Sequence, residues 1–432
     1  MSENINYLNV LRRNVLSYDE FYADYLLPNV PVIFNRSLVS SWPAFDLWVK
    51  SCKDSNSSHI HWDYFQDTYG ALEVTVADCA NVDSFGNQDR RTMLLREVIS
   101  MWKDAEGQSL YIKDWHLAKQ LEKTGSPSVP FYSTPDFFRD DWMNSYYTSH
   151  TDDDFRFVYM GAKGTFTPLH RDVYTSYSWS TNVYGRKRWW FFPPEQTPYL
   201  FMKYRNVNLY DVRNVDLKDF PDFHRATPII IEQEAGETIF VPSGWYHQVE
   251  NLTHCISINH NWCNSVNLRS LYTSMCAEVI QVEAALEDVR EILSKGQSDD
   301  EWKLEWTRIV QDVVNRDAGW NWLTFWKMVS HALHAVVSPG SSSPQGVSSR
   351  HNVFPPAPAN LRPPTAFILE QIRACYDDFM TRDRRECEGE VQEVVSTIGS
   401  LLVNPGYQPL KGFAMTRCEN GDTKSSCPGS HQ

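Results

Sequence analysis

Thr167-Pro168-Leu169-His170-Arg171-Asp172, followed later in the chain by Pro242-Ser243-Gly244-Trp245-Tyr246-His247, decides how this sequence is read. Two histidines and one aspartate in this order make a facial set of three ligands. Such a set leaves neighbouring positions on a metal open and is the donor set of non-haem Fe(II) sites. His170 and Asp172 lie two apart, so on an extended strand they project from the same face. His247 opens a later strand after a Pro-x-Gly turn, and in a barrel the two strands can lie side by side. Imidazole and carboxylate without thiolate suit Fe(II) better than structural zinc. A His-x-Asp triplet alone says little, because about one is expected by chance at ordinary composition. The chain carries another, His61-Trp62-Asp63, with no partner in a similar setting, and that one is read as surface or structural.

The surroundings of the first triplet are rich in short strands: 155–160, 166–172, 176–184, 187–192, 228–232, 237–241, 246–250 and 255–262. This pattern predicts an antiparallel barrel or jelly roll. Along 176–184, Tyr177, Trp179, Thr181 and Val183 share one face, and Ser178, Ser180 and Asn182 share the other. A polar face turned inwards fits a barrel whose mouth holds a polar ligand. A bidentate acid co-substrate needs a cation, and Gly185-Arg186-Lys187-Arg188-Trp189 offers three. Strict alternation puts Lys187 with Val183, away from Ser178 and Ser180. A bulge at Gly185 would reset that register. Direction alone therefore leaves Lys187, Arg186 and Arg188 in competition.

The flanks read differently. Ser17 and Glu20 form a capping box at the start of a short helix whose apolar stripe is Phe21, Tyr25 and Leu26. Val32-Ile33-Phe34 reads as a buried strand, 41–53 as a helix carrying Trp42, Phe45 and Trp48, 73–77 as a strand, 92–105 as a helix, and 110–112 as a strand. Helical spacing returns over 266–296, 301–315, 320–336, 365–381 and 385–402. The domain reading is an N-terminal α/β part (1–150), a strand-rich core (151–265), and a C-terminal helical region (266–411) with a flexible segment at 337–364. A disordered tail follows (412–432). The C-terminal helices are expected either to be packing alone, or to close one end of the barrel or form a surface for homo-oligomers.

Composition narrows the function classes. With 42% hydrophobic and 14% aromatic residues, the 432-residue chain can bury a large core. A net charge of −14 argues against affinity for a nucleic-acid backbone and tolerates a basic protein partner without requiring one. The nine cysteines are odd in number and contain no C-x-x-C pair, which argues against a zinc module and a disulfide framework. No charged n-region with an apolar h-region opens the chain, and no apolar run is long enough to span a membrane. A reducing compartment, cytoplasm or nucleus, is expected.

Taken together, Thr167–Asp172, Gly-Arg-Lys-Arg-Trp-Trp-Phe-Phe-Pro-Pro from Gly185, and Ala-Gly-Glu-Thr-Ile-Phe-Val-Pro-Ser-Gly-Trp-Tyr-His ending at His247 resemble the JmjC-domain oxygenases. The resemblance covers about residues 18–265. It implies a mainly β fold with α elements, a double-stranded β-helix of the jelly-roll, cupin-like type. It implies Fe(II) on His170, Asp172 and His247, with 2-oxoglutarate and O2 as co-substrates. The family pattern sets 2-oxoglutarate against Thr167, Lys187 and Tyr111, with Asn259 at a further contact position. Ser180 stands where some relatives carry Asn, with Asn182 a nearby substitute. Tyr177–Lys187 and Tyr111–His116 are most similar to the group within that family that hydroxylates carbon 4 of a lysine in the eukaryotic translation termination (release) factor. The resemblance therefore implies a protein lysyl hydroxylase that promotes translation termination. The alternatives are an Nε-methyl-lysine demethylase and a catalytically inactive interaction scaffold. Asp152-Asp153-Asp154 reads as a solvated acidic loop.

Overall fold

The computed structural model describes residues 12–14, 16–51, 57–83, 87–124, 130–203, 205, 207–296, 298–337 and 354–403. The expected tail at 412–432 and most of the segment at 337–364 lie outside them. The N-terminal part contains strands β1 (Arg12–Arg13), β2 (Val32–Phe34), β3 (Val49–Ser51), β4 (Ser58–Ile60), β5 (Glu73–Val82), β6 (Gln88–Leu94) and β7 (Leu110–Trp115). Its helices are α1 (Tyr18–Phe21), α2 (Ala44–Leu47), α3 (Trp62–Tyr69), α4 (Leu95–Lys103), α5 (Leu117–Thr124) and α6 (Trp142–His150). The core strands are β8 (Arg156–Gly161), β9 (Phe166–His170), β10 (Tyr177–Tyr184), β11 (Lys187–Phe192), β12 (Ile229–Gln233), β13 (Thr238–Val241), β14 (Tyr246–Asn251) and β15 (Cys255–Trp262). Six helices follow: α7 (Leu268–Ala285), α8 (Glu287–Ser294), α9 (Asp299–Ala318), α10 (Trp322–Val337), α11 (Thr365–Phe379) and α12 (Glu390–Leu402).

The eight core strands divide between two facing sheets. One has nine strands in the order β1-β2-β13-β10-β15-β8-β7-β5-β6; the other has four, β12-β11-β14-β9. Four core strands in each sheet make the expected double-stranded β-helix, and the N-terminal strands extend one sheet at both edges. Side-chain alternation assigns the faces. On the outer face of the large sheet, Tyr177, Trp179, Val183, Ile256, Ile258 and Trp262 pack against Phe21, Phe34, Trp42 and Phe138 from the N-terminal part. On the outer face of the small sheet, Trp190 and Phe192 pack under the 193–226 connection against Leu200, Leu209 and Phe220. The C-terminal helices bury their own core, including Trp320, Trp322, Phe325 and Trp326, and α6 joins it through Trp142 and Met143.

The chain crosses between sheets at Gly185, the link from β10 to β11. Gly185 has φ +85, and a Cβ there would lie 1.9 Å from the His254 carbonyl oxygen. Only glycine fits. The crossing also settles the Lys187 register. Because β10 and β11 lie in different sheets, alternation does not carry across, and Lys187 and Trp189 line the space between the sheets.

Several boundaries differ from expectation. The helix expected over 41–53 is only Ala44–Leu47; the chain then extends, because Val49–Ser51 pairs with Ser58–Ile60. The helix expected from 92 begins at Leu95, since Thr92, Met93 and Leu94 finish the β5–β6 ladder. The long helix expected over 266–296 breaks at Leu286 into α7 and α8. The helix expected from 385 begins at Glu390, after a 3-10 turn over Arg384–Cys387. Phe354, at the end of the 337–364 segment, is buried, with its ring 6.2 Å from that of His260. Six cysteines among the described residues are free. No helix among them is long and apolar enough to cross a membrane.

Replacing Gly185 by alanine forces a backbone clash at a positive φ. Gly185→Ala is expected to lower stability by about 2 kcal/mol or more. A thermal or chemical unfolding curve checks this; an unchanged midpoint contradicts the crossing geometry.

Candidate active site

The site forms where β9 and β14 run side by side. His170 lies directly opposite His247 in the antiparallel ladder, with ring centroids 4.2 Å apart. Strand β9 ends at His170, so Asp172 is not on the strand as expected. It sits in the following turn with an extended backbone, φ −58 and ψ 145. Its carboxylate is held by Ser178, whose Oγ donates to Asp172 Oδ2 at 2.8 Å. The ligand atoms of His170, Asp172 and His247 all lie within 4.8 Å of one another.

Each histidine is oriented by its own backbone. His170 Nδ1 lies 2.8 Å from the Pro168 carbonyl oxygen, and His247 Nδ1 lies 3.2 Å from that of Trp245. A carbonyl only accepts, so Nδ1 carries the proton and Nε2 keeps a free lone pair for a metal. Burial, and then the neighbouring His247, push His170 down to about 4, which keeps the ring neutral and ligating.

The turns around the trio are braced from outside. Tyr174 and Thr175, just beyond Asp172, have φ 58 and 55. Such non-glycine residues cost on the order of 1–3 kcal/mol each and persist where the surroundings hold them. Tyr174 stacks on Trp320 of the C-terminal region with centroids 4.1 Å apart. Ser243, in the turn before His247, donates its Oγ to the Thr175 carbonyl. Asn29 of the N-terminal part bonds both the Ser243 carbonyl (2.9 Å) and the Ser243 N–H (2.8 Å).

Lys187 faces the same cavity. It is 2% exposed, and its ammonium donates to Ser257 Oγ at 2.7 Å. Among the described residues no carboxylate stands within ion-pair distance of it. Burial pushes its pKa down to about 8. A buried cation without a counter-ion is costly, and a dicarboxylate in the cavity supplies one. Tyr111, Thr167, Ser180 and Asn259 line the same pocket. Ser180 Oγ donates to Asn259 Oδ1 at 3.0 Å. Burial raises the Tyr111 hydroxyl well above its ordinary range, so it stays a neutral donor near Thr167 and Asn251. The two-nitrogen, one-oxygen donor set and the unpaired Lys187 fit iron and a dicarboxylate co-substrate respectively.

Other sequence candidates lie elsewhere. Arg188 bonds Glu232 at 2.7 Å and Arg186 approaches it at 3.7 Å, both on the outside of the sheet. Asn182, considered as a substitute contact, instead donates to the Gly185 carbonyl at 2.5 Å and supports the crossing. His61 precedes α3, with Nδ1 3.1 Å from the Leu47 carbonyl, a structural role. The acidic run is not simply solvated: Asp154 is buried between His116 (2.5 Å) and Arg156 (2.6 Å). His116, Asp153 and Asp154 form a second cluster of potential ligands, but Arg156 and Lys119 already supply its cations. Sequence reasoning missed Ser257 and Tyr159. Ser257 lies two before Asn259 on β15, so alternation from Asn259 was the available signal. Tyr159 could be found in the same way along β8.

Comparison with known proteins gives the family. The family model described as a Cupin-like domain matches residues 18–267. The chain is 36% identical over 312 residues to "2-oxoglutarate and iron-dependent oxygenase JMJD4" of Gallus gallus, covering 70% of this chain and 69% of the relative. It is 32% identical to the protein of the same name in Danio rerio, over 88% and 87% of the two chains. It is 40% identical over 296 residues to "Arginine-specific demethylase JMJ20" of Arabidopsis thaliana, covering 64% of this chain and 62% of that relative. The chain belongs to the cupin-like JmjC family of 2-oxoglutarate- and iron-dependent oxygenases. It is a dioxygenase that uses iron and 2-oxoglutarate.

When bound, iron and 2-oxoglutarate supply the oxidation of an unactivated C–H bond, coupled to decarboxylation to succinate and carbon dioxide. The protein's part is positioning. His170, Asp172 and His247 would hold the metal, and Lys187 would neutralise the distal carboxylate.

Two outcomes follow from this geometry. Ser178→Ala frees the Asp172 carboxylate and is expected to weaken divalent-metal binding by about tenfold, read by calorimetric titration with Mn(II); unchanged affinity contradicts the role. Lys187→Ala is expected to raise the 2-oxoglutarate KM by about 30-fold, the size of a buried charge-assisted bond. The pH sign follows from Lys187's lowered pKa. The co-substrate needs the ammonium, so affinity is full below about 8 and falls as pH rises through that value. A 2-oxoglutarate affinity independent of pH between 7 and about 9.5 contradicts the assignment.

Proposed function

We propose that the protein hydroxylates carbon 4 of a lysine in the eukaryotic translation termination (release) factor and thereby promotes translation termination. The observation that carries this reading is the similarity of Tyr177–Lys187 and Tyr111–His116 to the group that performs this reaction, within a chain related to JMJD4 oxygenases over most of its length. The cavity supports a protein side chain as substrate. Its outer part is walled by Phe155, Phe157, Tyr174 and Tyr246, with Asp89 and Glu278 among them. Aromatic rings pack the aliphatic stem of a long side chain, and carboxylates receive its cationic end. A net charge of −14 supports a basic protein segment over nucleic acid. The reading sets the protein in the cytoplasm, with the nucleus as the alternative. It leaves the outer faces of the C-terminal helices for self-association.

A second reading is demethylation of a methylated lysine or arginine side chain, favoured by the 40% identity to a relative named an arginine-specific demethylase. The same oxidation at an N-methyl carbon releases formaldehyde instead of leaving a hydroxyl group. Incubating the protein with Fe(II), 2-oxoglutarate and release factor, then mapping peptides by mass, separates the two. Gain of one oxygen on a lysine, lost in Asp172→Ala, is expected. Loss of a methyl group with formaldehyde supports the second reading, and an unmodified release factor contradicts the first.

A further inference from the structure

Outside the metal trio the cavity opens into a vestibule of about 1250 Å³. Two residues of β7, Lys113 and Asp114, reach its wall because the strand is interrupted there. Pairing with β8 slips between Ile112 and Trp115, and Asp114 adopts φ 54. A bulge of this kind re-aims side chains beside active sites.

The Asp114 carboxylate is held at two points of different character. Oδ1 accepts from the Tyr159 hydroxyl at 2.6 Å. Tyr159 belongs to the inner face of β8 and lines both the vestibule and the inner pocket with His170 and Asp172. Oδ2 accepts from Arg90 Nη1 at 2.9 Å, and the side chains of this pair are 50% and 36% exposed. An ion pair so exposed adds little stability, so Arg90 can leave at small cost. Lys113 does not replace it, because its buried ammonium is turned to Gln88 Oε1 at 3.2 Å. The part of Asp114 that the protein covers raises its pKa, but Tyr159, Arg90 and Lys113 together bring it below the ordinary value, so the group, still open to the vestibule, is a carboxylate.

We infer that Asp114 receives the positively charged end of the substrate side chain, and that Arg90 occupies this carboxylate until the substrate arrives. The inference rests on the reading that the substrate is a cationic protein side chain. The exchange swaps one cation for another on Oδ2 while Tyr159 keeps Oδ1 fixed. Tyr159 is within the electrostatic reach of both Asp114 and Asp172 and stands as the wall they share. A charged end held at Asp114 is kept on the vestibule side, and a carbon of the stem is presented inwards. This arrangement selects a C–H bond of the stem for oxidation over a group on nitrogen.

The test measures peptide-stimulated succinate formation with peptides that differ only at the central residue: lysine against norleucine, and arginine against citrulline. The wild-type protein is expected to show a KM about tenfold or more lower for a cationic peptide than for its neutral counterpart. Asp114→Asn keeps a side chain that tolerates a left-handed backbone, and the preference is expected to vanish. Arg90→Ala removes the resident cation and is expected to lower the KM for the cationic peptide several-fold; a purely structural ion pair would raise it. If Asp114→Asn does not fold, the direction of the Arg90→Ala change decides. A cation preference that persists in Asp114→Asn, a raised KM in Arg90→Ala, or no preference in wild type overturns the inference. An Asp114-dependent preference alongside an unmodified release factor upholds it and overturns only the assignment of the target.

Discussion

Polar side chains fill much of the space between the two sheets, where a β-sandwich ordinarily keeps its apolar core. Ser178, Ser180, Asn259 and Asn261 face Lys187, Thr167 and the metal-site histidines across the cavity. That interior adds little hydrophobic stabilisation, so burial has to come from the outer faces. The N-terminal part covers the outside of the large sheet with a dense aromatic cluster. The 193–226 connection covers the outside of the small sheet. Among the described residues, an apolar cluster at one end of the inter-sheet space joins Trp189, Phe191, Ile239, Val241 and Trp245. The accessory regions are the stabilising layers that permit a hollow, polar centre.

The same layers also fix the site. His247 follows a turn tied to Asn29, and Asp172 precedes a left-handed turn stacked on Trp320. Ser243 links the two turns through the Thr175 carbonyl. The three ligands thus depend on contacts from both the N-terminal part and the C-terminal region, although they lie on two adjacent strands and the turn that follows one of them. Preorganisation of this kind holds donor atoms in place before any ligand binds. It accounts for the left-handed conformations at Tyr174 and Thr175, which local propensity opposes.

The strand-rich core was legible because its alternation is regular. The expected strand at 187–192 is reproduced, and the one at 255–262 likewise. The inward polar face of β10 was readable from Ser178, Ser180 and Asn182 for the same reason. Lys187 was not resolvable by alternation, because its strand belongs to the opposite sheet and periodicity stops at Gly185. The helix over 41–53 was misjudged because Trp42, Phe45 and Trp48 keep helical spacing while strand pairing claims Val49–Ser51. Asp114 becomes visible only with the bulge in β7, which is a tertiary property, whereas Ser257 was within reach of alternation from Asn259. Asp154 looked solvated within an acidic run, and only folding brings His116 and Arg156 against it.

One metal ion would sit on His170, Asp172 and His247, with Lys187 across the cavity from it. Crystals grown with Mn(II) and 2-oxoglutarate, and an anomalous difference map at the manganese edge, test this most directly. A single strong peak is expected, bounded by the two histidine Nε2 atoms and an Asp172 oxygen, with a co-substrate carboxylate against Lys187 Nζ. A main peak at His116, Asp153 and Asp154, or a co-substrate carboxylate that ignores Lys187, would contradict it.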